Sequence, residues 1–134
     1  MNDVELAWVA GLLEGEGCFS IRKPALTKTG EPKNYRQVNV TCGMTDRDVV
    51  ERLRATVGFG TIFQDRRSRS NPNNKDLHTW RATRRSDVEP FLRRLQPLMG
   101  ERRSARIGEL LAYFDEHPPV YRKNREKLTS VQAA

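Results

Sequence analysis

A helix does not keep glycines in its apolar run without a reason. The run Val9-Ala10-Gly11-Leu12-Leu13-Glu14-Gly15-Glu16-Gly17 keeps two of them, Gly11 and Gly15, four residues apart. Inside a helix each costs about 1 kcal/mol relative to alanine. With Ala7 they form one smooth stripe, because positions four apart stand above one another on a helix. Such a stripe lets another backbone come close. Small-residue stripes do this inside membranes, but this segment is too short, and too polar at its ends, to span a bilayer. A second helix of the same kind is the natural partner. The run also joins a helix-like segment to a strand-like one, Cys18-Phe19-Ser20-Ile21, with the carboxylates Glu14 and Glu16 at the junction.

Ala10, Gly11, Leu12, Leu13, Gly15, Glu16 and Gly17, followed by that strand, resemble the LAGLIDADG motif, the signature of a family of homing endonucleases. Glutamate stands at both positions where the motif usually has aspartate, so a carboxylate is retained at each.

Charge distribution points the same way. Residues 1–21 hold four acids and no Lys or Arg, a net −4, while residues 22–134 hold 24 Lys and Arg against 13 Asp and Glu, a net +11. A basic body suits a polyanion such as nucleic acid. An acidic pair inside that body would repel phosphate unless a divalent cation lay between them, as metal-assisted phosphodiester hydrolysis requires. The helix dipole accounts for Asp3 and Glu5 near a helix start, but not for Glu14 and Glu16 at its other end. Cys18 and Cys42 have no CxxC neighbour, which argues against a disulfide scaffold or zinc site. With no signal peptide and no apolar run of membrane length, an intracellular, soluble chain with no membrane partner is expected.

The pattern predicts a helix over 3–15, capped by Asp3, and strands over 17–24 and 35–44 flanking a loop at 25–34. A second helix over 46–57 is capped by Thr45 or Asp46 and stopped by Gly58 and Gly60. Strands over 60–66 and 77–84 flank a polar turn. A helix near 87–95, capped by Ser86 or Asp87, gives way at Pro97 and Gly100 to a last helix over 101–116, which Pro118-Pro119 breaks. The expected organisation is one domain over 1–117 and a basic, mobile tail over 118–134. The fold class is α+β. The order is similar to the αββαββα core of the LAGLIDADG family with an additional C-terminal helix. The turn Val57-Gly58-Phe59-Gly60 and the segment 91–98 also resemble single-motif members.

Alternation puts Phe19, Ile21, Val38, Val40, Cys42, Trp80 and Ala82 on the buried face of the sheet. Its other face then carries Ser20, Arg22, Tyr35, Gln37, Asn39, Thr41, Thr79, Arg81 and Thr83. These side-chain types hydrogen-bond base edges, and no acid stands among them. The third strand is harder to phase. With Ile62 inward, Phe63 and Asp65 face outward. Lys23, Lys28, Lys33 and Arg36 by the first loop, and Arg66, Arg67 and Arg69 by the second, are candidates to grip phosphates. Trp8 reads as packing beside the motif helix and Trp80 as core. His78 and His117 do not form a catalytic pair.

The resemblance implies a catalytic site. Glu16, at the motif's last acidic position, would be the essential metal ligand, with the Gly15 carbonyl as a secondary one. The ion would be Mg²⁺, a hard cation that favours oxygen, and Mn²⁺ or Ca²⁺ could occupy the same site. Arg102 would stabilise the pentavalent phosphate, and Glu14 would cap a helix or pair with a partner subunit. Two departures touch the supporting positions: Cys42 stands where glutamine is frequent, and Asp46 where a basic residue is expected, with Arg47 next to it. Only one motif exists, so the resemblance implies a homodimer through Ala7, Gly11 and Gly15. Two-fold symmetry then implies a long, pseudo-palindromic double-stranded DNA target. The expected activity is site-specific double-strand cleavage that mobilises the intron or reading frame encoding the chain. The alternatives are a non-catalytic nucleic-acid binder on the same fold, either an RNA splicing maturase or a DNA-binding regulator, and, more remotely, an interaction module that binds no nucleic acid.

Overall fold

An alternating sheet needs something to cover its apolar side, and in this chain four helices supply the cover. The computed structural model describes residues 1–22, 26, 28–30, 36–65 and 75–119. The elements run α1 (Asp3–Glu16), β1 (Gly17–Ile21), β2 (Val38–Met44), α2 (Arg47–Val57), β3 (Thr61–Asp65), β4 (Leu77–Ala82), α3 (Arg85–Leu95), a 3₁₀ turn (Gln96–Leu98) and α4 (Glu101–Glu116). The four strands form one antiparallel sheet in the order β1-β2-β4-β3. Architecture and element order agree with the sequence reading, including the extra helix.

The register sorts the side chains. Gly17, Cys42, Trp80 and Ile62 form one row across the sheet, and Phe19, Val40 and Ala82 the next. Both lie on the helix-covered face, where Leu13 of α1, Leu53 of α2, Leu92 of α3 and Leu110 of α4 are fully buried with Trp80. Ile62 shares the row of Trp80, so Phe63 and Asp65 do point outward. Trp80 is core, as expected.

Local signals were misplaced at two helix starts, α1 and α3, and held at a third, α2. Asn2, not Asp3, caps α1: its Oδ1 accepts from the Glu5 N–H at 2.8 Å, and Glu5 accepts from the Asn2 N–H at 3.0 Å. This reciprocal capping box leaves Asp3 in the first turn, where the dipole favours it. At α2 the cap is Asp46, but its side chain makes no capping bond. α3 begins at Arg85, ahead of both Ser86 and Asp87. A distant partner explains this early start. The Arg85 guanidinium donates to the carbonyls of Phe114, at 2.7 Å, and His117, and stacks over the Phe114 ring at 4.6 Å. It therefore fastens the α3 start to the end of α4.

The sheet is also shorter than its alternation suggested. β1 stops at Ile21, β2 starts at Val38 and β4 ends at Ala82. Arg22 and Gln37 continue the ladder by one bond, Arg22 N–H to Gln37 O at 2.7 Å, while Thr83 lies past the sheet. β1 is an edge strand. Arginines of α4 cover its outer backbone: Arg103 donates to the Gly17 carbonyl and Arg106 to the Phe19 carbonyl at 3.0 Å.

The turn after α2 depends on two glycines with left-handed φ, Gly58 at 82° and Gly60 at 90°. A Cβ at Gly60 would stand 2.4 Å from Trp80 Nε1 and 2.9 Å from the Arg81 carbonyl. Gly60→Ala therefore meets both strain and overlap. We expect a loss of about 3 kcal/mol, read as a lower midpoint in urea or thermal unfolding. Gly11, with nothing near its missing Cβ, is the contrasting position.

Candidate nucleic-acid interface

α1 ends where the sheet begins, and that junction places Glu16. The residue is the last of the helix, exposed, and in no ion pair among the described residues. Gly15 beside it is exposed as well. Its neighbour Glu14 turns toward the start of α4, where the Gly100 N–H donates to its carboxylate at 3.4 Å. That is the capping role, since α4 has no cap from its own chain segment. The contact brings the first turn of α4, with the exposed Arg102, to the same end of the fold as Glu16. Arg103, which the sequence reading passed over, reaches the carbonyl of Gly17, the residue after Glu16.

Beneath the junction lies Cys42, fully buried and paired in register with Gly17. Burial first, and the charge of Glu16 second, push its thiol up to about 11. Cys42 is thus a neutral packing group at neutral pH. In the native protein we expect iodoacetamide at neutral pH to label the exposed Cys18 and spare Cys42 until the chain unfolds, as mass spectrometry would read.

The outer sheet face is assembled as the alternation required. Cys18, Thr41, Arg81 and Thr61 form one row across all four strands, and Ser20 with Asn39 another. Ser20, Thr41 and Arg81 are half-buried and accessible, and Arg81 stacks over the outward ring of Phe63 at 4.6 Å. Arg22, Gln37 and Lys28 are exposed. Two expected base-reading residues are not available on this surface: Asn39 is 3% exposed and Thr79 9%. The Thr79 hydroxyl leans over Gly43, where a Cβ would stand 3.1 Å from it, and the Leu77 side chain lies alongside. Period two from Thr79 puts Leu77 on this face, a signal the sequence reading did not use. Asn39 faces the right way but is enclosed, its Oδ1 without a hydrogen bond. Thr83 is displaced to a cavity beyond the strand end. Lys23, Lys33, Tyr35, Arg66, Arg67 and Arg69 lie outside the described residues.

The other expected surface is the outer side of α1. Leu6, Val9, Ala10 and Leu13 face the core. Ala7, Gly11 and Gly15 are exposed on the far side, with Val4 80% exposed beside them. Trp8, half-buried and covered by the Arg52 guanidinium at 4.0 Å, borders this charge-free strip. His78 and His117 stay apart in role: His78 pairs in register with Met44 and Gln64 on β4, and His117 stacks on Tyr113 beyond α4. Among the described residues no three His, Cys, Asp or Glu side chains gather to hold a metal, and no helix is long and apolar enough to cross a membrane.

Solved structures share this arrangement. The homing endonuclease I-CvuI, in complex with its target in the presence of calcium, superposes with a TM-score of 0.67 at 17% identity, over 88% of this chain and 70% of that one. The I-SmaMI LAGLIDADG homing endonuclease, bound to cleaved DNA, gives 0.57 at 22% identity, over 96% of this chain and 41% of that one. This chain has the LAGLIDADG homing-endonuclease fold. The archaeal intron-encoded I-Vdi141I, complexed with DNA, has it too, with a TM-score of 0.60, 17% identity, and 84% and 66% of the two chains covered. The chain thus spans about two thirds of the length of I-CvuI and I-Vdi141I and about two fifths of I-SmaMI. No family profile and no curated protein matches the sequence. On the LAGLIDADG fold, the likeness lies in backbone architecture, and the residues of the site stand on their own geometry.

Proposed function

We propose that the chain is a homodimeric, Mg²⁺-dependent, site-specific endonuclease of double-stranded DNA that mobilises its host intron. One observation carries the reading: Glu16, an exposed carboxylate with no ion pair among the described residues, ends a helix whose outer stripe is bare, beside a sheet face whose described strand residues include no Lys or Glu. Two copies meeting along Ala7, Gly11 and Gly15 would bring both Glu16 carboxylates to one axis, and a symmetric interface implies a pseudo-palindromic target. Homing endonucleases of the same fold complexed with DNA support the partner, and calcium and magnesium accompany I-CvuI in its complexes.

The donor set fits a hard cation. Glu16 offers carboxylate oxygens and Gly15 a carbonyl, with no competing cation paired to Glu16 among the described residues. In this reading each copy would supply half of the site. When bound, the metal supplies an activated water and charge neutralisation at phosphate. The chain's own part is to hold the scissile phosphate over Glu16, with Arg102 placed to meet the charge that grows on it. Ser20, Arg22, Gln37, Thr41 and Arg81, with Lys28 near the first loop, would meet the duplex. Lys23, Tyr35, Arg66, Arg67 and Arg69 remain assigned to it on sequence grounds.

A second reading, a nucleic-acid binder without catalysis, is favoured by Cys42, which is buried and neutral where a polar support for the site is frequent. Incubation with DNA from the chain's own locus, with the intervening element removed, separates the two. A discrete cut with Mg²⁺, absent with EDTA, supports the endonuclease. Salt-sensitive binding without any cut supports the regulator or maturase, and RNA would then be tried as ligand.

A further inference from the structure

Beyond the end of β4 the fold forms an open cavity of about 430 Å³ that the proposed cleavage site does not use. Arg54, Arg81 and Arg84 line it, opposed by a single acid, Asp87. Its wall is held from behind. Arg54 Nε donates to the Gly60 carbonyl at 2.7 Å, and Trp80 Nε1 donates to the Phe59 carbonyl at 2.9 Å. The first bond fixes the Arg54 guanidinium against the turn, and the second holds the turn on β4. Neither its terminal nitrogens nor the Arg84 side chain bond anything else among the described residues. Three guanidiniums around one concave space, two with unused donors, make a lining of net charge +2 with no further acid to balance it among the described residues that line it.

The position of the cavity is informative. The row Cys18, Thr41, Arg81, Thr61 begins two residues from Glu16 and ends at this rim. Three strand spacings of about 4.8 Å separate its ends, about 14 Å in all. A B-DNA major groove is about 12 Å wide. A sheet seated in that groove therefore has its two edges against the two sugar–phosphate backbones. Glu16 lies at one edge and the arginine-lined cavity at the other. We propose that this cavity seats a backbone phosphate of the DNA duplex, held by Arg84 and Arg54 with Arg81 at the rim. The inference rests on the DNA-binding reading above and adds a phosphate site that the residue types of the strands did not reveal. Guanidinium matches phosphate geometry with paired N–H donors.

Phosphates carry no sequence information, so the test needs no knowledge of the target. Binding of the full chain to a short random-sequence duplex is measured by fluorescence anisotropy over a range of salt. For Arg84→Gln we expect the slope of log K against log salt to fall by about 0.9 for each pocket lost, with affinity down by roughly tenfold at moderate salt. Arg93→Gln removes the same charge from an arginine paired with Glu89 and Asp115 on the opposite side of α3 and should move the slope by less than half as much. Asp87→Asn raises the lining charge and should tighten binding. Equal slopes for Arg84→Gln and Arg93→Gln, or unchanged binding by Asp87→Asn, overturn the pocket and leave the DNA-binding reading intact. A wild-type chain that binds no duplex even at low salt overturns that reading and the pocket with it.

Discussion

Glu16→Gln should bind duplex DNA as the wild-type chain does and cut it at least roughly a thousandfold more slowly. The substitution keeps the shape of the side chain and removes its charge. Glu16 is exposed and makes no ion pair or hydrogen bond among the described residues, so stability should stay within about 0.5 kcal/mol of the parent. Binding rests on the basic surface and the sheet face, which are untouched. Single-turnover cleavage with saturating Mg²⁺, beside anisotropy binding, separates the two quantities. A variant that still cuts at the parental rate would remove Glu16 from the metal site. Equal loss of binding and cutting would mean that Glu16 shapes the surface instead of the chemistry.

The second large effect belongs to the bare side of α1. Gly11→Leu should leave the isolated subunit folded, because nothing lies within 4 Å of the position a Cβ would take, and leucine is the better helix former. In a dimer packed along the stripe the same leucine enters twice, once from each copy. Overpacking costs about 1–3 kcal/mol per site, so the dimer should dissociate on the order of a hundredfold or more weaker. Sedimentation velocity reads the change directly, and cleavage should fall with it if, as proposed, each copy holds half of the site. An unchanged mass across concentrations, with unchanged cutting, would reject the stripe as the interface.

Both predictions start from residues legible in the sequence, and the reason is physical. Helical periodicity, alternation and the glycine spacing are local signals, and they placed α1, the four strands, their buried face and the outward direction of Thr41 and Arg81. The phase of β3 followed from Ile62 alone. What escaped is what depends on distant partners. Arg85 opens α3 early because its guanidinium finds carbonyls 29 and 32 residues away. Asn39 and Thr79 face the predicted way and are nevertheless enclosed, since alternation gives direction but not the cover that neighbouring side chains provide. The arginine-lined cavity draws on two stretches, 54–61 and 81–87, that no short window in the sequence joins. Cap preferences chose Asp3 over Asn2 although Asn2 and Glu5 held the stronger paired signal.

The two arginines that bridge from α4 to the edge of β1 carry a consequence for how this protein behaves in a concentrated solution. Gly17-Cys18-Phe19-Ser20-Ile21 has no charge and no proline. It therefore combines the strand preference and neutrality that favour intermolecular pairing. Its outward carbonyls at Gly17 and Phe19 are engaged by Arg103 and Arg106, so an incoming strand finds those two already taken. Loss of α4 by proteolysis, or of both arginines by substitution, would turn a guarded margin into a seed for aggregates. Helix α4 thereby also protects the segment beside its proposed chemistry from self-association.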